Sequence, residues 1–243
     1  MFILINSHIR NIEAQRVLLE SIPATLHSRT VVAVGGCNST ERLFQQGGVW
    51  YLQVQHNSID FTGLVAVLEH RDLLQHALGP SIAGAFTLHD TMSFGKRTAE
   101  ILANMSLEEL NSTRALTGSA RSDKYQSSMN MGFYTLDALD SVARELLHWR
   151  GPTDGNPLAE LAAKKHQIGT EGSLFLSISN TCNGTCIASS FCRHAITLPN
   201  YTFQYDGSKH IRRVLYFPEL DLYKYKANFQ WIPRKYPNYA MVP

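Results

Sequence analysis

An imidazole and a carboxylate, His89 and Asp90, follow the apolar run "GAFTL" in the stretch "AGAFTLHDTMSFGKRTAEIL", which then resumes as an amphipathic helix. A charged group at the end of a buried strand is costly unless something engages it. A lone Asp repels a diphosphate, so the arrangement makes chemical sense where a divalent cation, bound by oxygen ligands, lies between them. Three more polar clusters end apolar runs in the same manner: Asn6-Ser7-His8, Gly35-Gly36-Cys37-Asn38 and His56-Asn57. Together they nominate Asn6, His8, Gly36, Asn38, Asn57, His89 and Asp90 as ligand-binding residues on one rim.

The elements that would hold this rim follow from periodicity. A strand is predicted over residues 2–6 and a helix over 12–21, with Ile12, Val17, Leu18 and Leu19 largely on one side. A second strand covers residues 30–34 and a third covers 49–55. A helix follows, capped by Asp60 or Thr62 and burying Leu64, Val67, Leu68 and Leu74. The fourth strand is "GAFTLHD", apolar enough to be covered on both faces. This alternation predicts an α/β sandwich with a mainly parallel sheet, whose ligands bind outside the carboxyl ends of its strands. Beyond Thr91, helices are expected near residues 96–105 and 107–116, then a polar tract. A short strand centred on Gly132 passes into a helix capped by Thr135 or Asp137. Further helices are expected over "LAELAAKKHQ" and within "IGTEGSLFLSI", and the Cys-rich tract "TCNGTCIASSFC" reads as loop. The last 49 residues, rich in Tyr, Phe and Pro, are expected to wrap onto the domain.

Composition narrows the functional classes. A chain of 243 residues that is 44% hydrophobic can bury a substantial core. With no repeat or linker it reads as one domain, divided into residues 1–91, 92–194 and 195–243. A net charge of +2 gives no field to recruit nucleic acid. No apolar run approaches the roughly 20 residues that span a bilayer, and "MFILINSHIRNIEAQ" carries no basic leader, so a cytoplasmic protein is the expectation. Cys182, Cys186 and Cys192 with His194 are read as buried thiols, an optional disulfide or, at an atypical spacing, a zinc site.

Common cofactor motifs are absent. The turn after the first strand is "NSHIRN", without the glycines of a dinucleotide fingerprint, and "FGKRT" lacks the first glycine of a P-loop. No G-x-S-x-G nucleophile elbow occurs. What remains is the carboxylate at the fourth strand. There the sequence resembles the GT-A class of glycosyltransferases, in which an Asp-x-Asp motif at the end of a central strand holds a metal and the donor diphosphate. "FTLHDT" matches that strand, "VVAVGGCNST" resembles the second strand and its base-receiving loop, and "SMNMGFYTLDAL" resembles the acceptor-side strand and helix. "HNSIDFTGLVAVLEH" is similar to the nucleoside-contacting segment, which implies roles for Asn57, Asp60 and Gly63.

The resemblance implies a GT-A-like (Rossmann-like) three-layer sandwich that transfers a sugar from a nucleoside-diphosphate sugar to a glycan or glycoconjugate acceptor, with inversion. It implies Mn²⁺ or Mg²⁺ on Asp90, with His210 as a further ligand. His89 is either a second ligand or the replacement for the ribose-facing carboxylate, because Leu88 occupies the first Asp-x-Asp position. Lys96, Arg97 and Arg121 are alternative phosphate partners. Glu171 is the candidate general base, with a helix N-terminal carboxylate as its competing role, and Asp123, Asp154 and Glu160 are weaker candidates. A non-catalytic nucleotide-sugar binder on the same scaffold is the alternative, and an interaction module built on the Cys cluster and aromatic tail is a third.

Overall fold

The computed structural model describes residues 1–105, 129, 131–151, 166, 174, 177–178, 188–190, 196–198 and 211–227. In chain order the elements are β1 (Phe2–His8), α1 (Ile12–Ser21), β2 (Thr30–Gly35), β3 (Arg42–Gln46), β4 (Val49–Gln53), α2 (Thr62–Glu69), α3 (Arg71–Leu78) and β5 (Gly84–His89). Then come β6 (Met92–Phe94), α4 (Thr98–Asn104), β7 (Gly132–Thr135), α5 (Leu136–Asp140), α6 (Ala143–His148), β8 (Ala188–Ser190), β9 (Ile196–Leu198), β10 (Ile211–Phe217) and β11 (Leu222–Ala227).

One sheet has the order β3-β4-β2-β1-β5-β7-β8. Its centre, β4-β2-β1-β5, is parallel, whereas β3, β7 and β8 join antiparallel. The protein is therefore mixed α/β with a parallel sheet core, compatible with a Rossmann-like arrangement. Strand alternation divides the interior. Phe2 and Leu4 enter one core with Leu64 and Val65 of α2, while Ile3 and Ile5 enter another with Leu18 of α1. Covered on both faces, β2 and β5 are buried throughout, as their unbroken apolar runs require. From β1 the chain builds β2 and β4 on one side, then returns to place β5 on the other. The strand order thus reverses between β1 and β5, and at the carboxyl ends of these strands a crevice opens in sheets of this kind.

A second, antiparallel sheet, β6-β11-β10-β9, joins the return segment to the chain just beyond Asp90. Tyr225 N–H donates to Thr91 O at 2.8 Å, so β11 lies directly against the Asp90 turn. Residues 211–227 thus come back to the first half of the chain.

Several sequence expectations need correction. β3 was not expected, because "RLFQQ" is a polar edge strand. Its signal was Gly47-Gly48, whose φ values of +58° and +82° are what a two-residue hairpin turn requires. β6 was also unexpected, and three residues are too few to show a period. In α1, Ile12 is 66% exposed, and the buried side is Ala14, Gln15 and Leu18. Neither Asp60 nor Thr62 caps α2; the position before it is Phe61, and Asp60 lies within a 3-10 turn, Ile59–Phe61. Thr135 does cap α5, its Oγ1 accepting Ala138 N–H at 3.2 Å. The Cys-rich tract is not all loop, since β8 lies inside it and pairs with β7. The helix expected near 107–116, the one expected over 158–167 apart from His166, and the three clustered cysteines lie outside the described residues.

Candidate functional site

Asp90 is 4% exposed, immediately past the carboxyl end of β5. Its Oδ2 accepts from Ser7 Oγ at 2.7 Å and from Asn11 Nδ2 at 2.8 Å, and its N–H donates to Asn6 O at 3.1 Å. Ser7 belongs to β1 and Asn11 to the turn entering α1, so the neighbouring parallel strand positions the carboxylate. Leu88, two residues earlier and hence on the same face, is fully buried in the core shared with α1. The first Asp-x-Asp position is packing material here.

His89 lies on the opposite face, as consecutive strand residues must. Its Nε2 is 3.8 Å from Asp60 Oδ1. The His89 ring is thus turned to Asp60, on the side of β5 away from the Asp90 carboxylate. Asn6 is on that side too, donating from Nδ2 to Ile59 O at 2.8 Å and accepting Gly63 N–H on Oδ1 at 2.6 Å. A side chain on Gly63 would crowd Leu4 at 3.3 Å, so this glycine lets α2 close onto β1. Adjacent residues of β1, Asn6 and Ser7, thus serve the two halves of one rim.

Between them runs a constrained loop. Ile59 has φ +53°, rare for a β-branched residue and the kind of backbone outlier that collects at functional sites. Asn57 Oδ1 accepts Ile59 N–H at 3.2 Å and shapes the turn. Asn57, Ser58 and Asp60 are all buried. His56 is buried too, and burial, aided by the Arg150 charge, pulls its pKa down to about 4. At the end of β1, His8 Nδ1 accepts Arg10 N–H at 3.1 Å. Burial first, then the Arg10 charge, brings its pKa to about 4 as well. Gly36, at φ +75°, lies against the His8 ring, with which any β-carbon would collide. Both histidines are neutral at pH 7.

The structure therefore gathers Asn6, His8, Gly36, Asn57, Asp60, Gly63, His89 and Asp90 along the carboxyl ends of β1, β2, β4 and β5. Asn38 is exposed beyond β2, and no hydrogen bond described at the rim involves it. Glu171 and His210 lie outside the described residues, as does Arg121. Arg97 is exposed and spends its backbone N–H on Asp221.

Sequence reasoning missed Asn11, whose signal was its spacing four residues after Ser7, and Lys224, which carried none. Lys224 is buried on β11, level with Met92, its Nζ 3.1 Å from Met131 Sδ. A lysine is thus built into the strand that flanks the Asp90 turn.

Among the described residues no three His, Cys, Asp or Glu side chains form a metal-binding group. No helix among the described residues is long and apolar enough to cross a membrane. No protein-family model, no curated protein and no solved structure matches this chain.

Proposed function

We propose that this protein is a GT-A-type glycosyltransferase that moves a sugar from a nucleoside-diphosphate sugar to an acceptor hydroxyl with inversion. The observation that carries the reading is the place of Asp90: a buried carboxylate, braced by Ser7 and Asn11, at the point where the strand order reverses. Ligands of doubly wound sheets bind there. In this reading the nucleoside lies against Asp60, His89 and the loop 56–60, and the diphosphate lies towards Asp90. A divalent ion shared between Asp90 and the diphosphate would stabilise the charge gathering on the leaving group. The bond from the anomeric carbon to the diphosphate breaks, the acceptor oxygen takes its place, and the acceptor proton passes to a base, for which Glu171 remains the candidate.

Leu88 favours a second reading, a nucleotide-sugar binder without turnover, because it leaves the motif one carboxylate short. A panel of nucleoside-diphosphate sugars, with and without Mn²⁺, separates the two. Release of diphosphate that falls by about 100-fold or more in Asp90→Ala is expected for the enzyme. Binding without release in every condition establishes the binder, and neither binding nor release sinks both.

A further inference from the structure

Away from the Asp90 rim, a closed ring of polar groups holds the loop 56–60 from behind. Gly151 N–H donates to Ser58 Oγ at 3.2 Å, and Ser58 Oγ lies 2.9 Å from His56 Nδ1. His56 Nε2 is 3.4 Å from Glu69 Oε2, and Glu69 Oε1 is 3.1 Å from Arg150 Nε. Arg150 and Gly151 are neighbours, so the ring closes. Ser58 Oγ accepts Gly151 N–H and pairs with His56 Nδ1, while His56 Nε2 stands beside the Glu69 carboxylate without a hydrogen bond to it. Glu41 reinforces the ring from the β2–β3 connection. It lies 3.8 Å from Arg150 and 3.0 Å from His70, and it accepts Gln55 N–H at 3.0 Å. Gly151 also packs so closely on Asn57 O that a β-carbon there would collide with it.

The ring lies against the segment that carries Asp60 and the left-handed Ile59. A strained backbone persists only when its surroundings over-determine it. Asn6 holds this loop from the front, through Ile59 O, and the ring holds it from behind.

We propose that Arg150 and Gly151 form a latch that keeps residues 56–60 in the conformation the nucleoside requires, with Arg150 as a positioning residue for donor binding. The inference rests on the donor-site reading for its consequence, though not for the latch itself. Acting through Glu69 and His56, Arg150 governs affinity rather than the bond-breaking step. The groups facing His56 are Glu69 and His70 from the end of α2, Glu41 from the β2–β3 connection, and Arg150 after α6. Protonating His56 removes the acceptor for Ser58 and places a second cation beside Arg150, so acid opens the latch.

Amide exchange tests the latch without any ligand. In Arg150→Met, exchange across residues 55–63 is expected to rise about tenfold, as loss of a charged hydrogen bond implies, while β2 stays protected. Arg150→Lys restores part of the protection, and in the wild type protection over 55–63 falls between pH 6.5 and pH 4. Unchanged exchange in a folded Arg150→Met overturns the latch. Affinities for uridine, guanosine and cytidine diphosphates test the consequence: Arg150→Met is expected to weaken whichever the wild type binds by about tenfold, raising KM with kcat kept. Faster exchange with unchanged affinity overturns the positioning role. A wild type that binds none of the three overturns the donor-site reading and the positioning role together, while the exchange result still decides the latch.

Discussion

Two aspartates, Asp90 and Asp221, are both buried and both follow a strand, yet they are used in opposite ways. Asp221, at φ +50° in the β10–β11 turn, is consumed by structure. Its carboxylate accepts from Tyr216 OH at 2.9 Å and Arg97 N–H at 2.8 Å, and its carbonyl accepts from Gly95 N–H at 2.7 Å and Thr98 Oγ1 at 2.6 Å. Gly95 is packed so tightly on it that a β-carbon would collide with the carboxyl group. It fastens the return hairpin to the start of α4. Asp90 is instead held by two side chains, Ser7 and Asn11, from the strand and turn across the crevice. Burial of a carboxylate is therefore not a mark of function in this protein. In the proposed reading, its place relative to the reversal of strand order is what sets Asp90 apart.

The comparison can be broken most directly by exchanging the two losses. Asp221→Ala strands several buried donors and is expected to cost about 3 kcal/mol in urea unfolding, with diphosphate release unchanged per folded molecule. Asp90→Asn keeps an acceptor for Ser7 and Asn11, so it is expected to cost about 1 kcal/mol or less while turnover collapses. The reverse pattern would make Asp90 the structural residue.

Acid sharpens the contrast. His8 and His56 have folded pKa values near 4, below the value of about 6.5 in an unfolded chain. The stability they contribute is fully present above pH 6.5 and is lost as pH falls towards 4, because the unfolded chain takes up protons that the folded one refuses. For His56 this is on the order of 3 kcal/mol, and for the less buried His8 it is smaller. Both histidines belong to the Asp90 rim, and residues 211–227 contain none. Between pH 6.5 and 4, protection over residues 6–11 and 55–63 should fall before that over residues 214–225. The smallest effect is expected at Ile12, near the rim but 66% exposed. Ile12→Ser should change stability by less than about 0.5 kcal/mol, and a larger loss would mean that something covers it.

Much of the rim was legible because strand ends are local. Apolar runs located β1, β2 and β5, and the polar residues after them located Asn6, His8, Gly36 and Asp90. The loop 56–60 was legible only as a polar cluster. Its strained Ile59 contradicts the preference of a β-branched residue, so no propensity could have announced it. The latch was invisible for another reason: Arg150 lies 81 residues beyond Glu69, and such a separation leaves no periodic trace.

By itself, then, the amino-acid sequence located the strands β1, β2, β4 and β5 and showed that an imidazole and a carboxylate stand at the end of the last of these, since run length and turn chemistry are properties of neighbouring residues. Only the tertiary structure decided that His89 turns to Asp60 while Asp90 turns to Ser7, that Ile12 faces outward, and that Arg150 closes behind the loop. Those choices depend on which face each strand buries and on which distant side chains packing brings within hydrogen-bond reach.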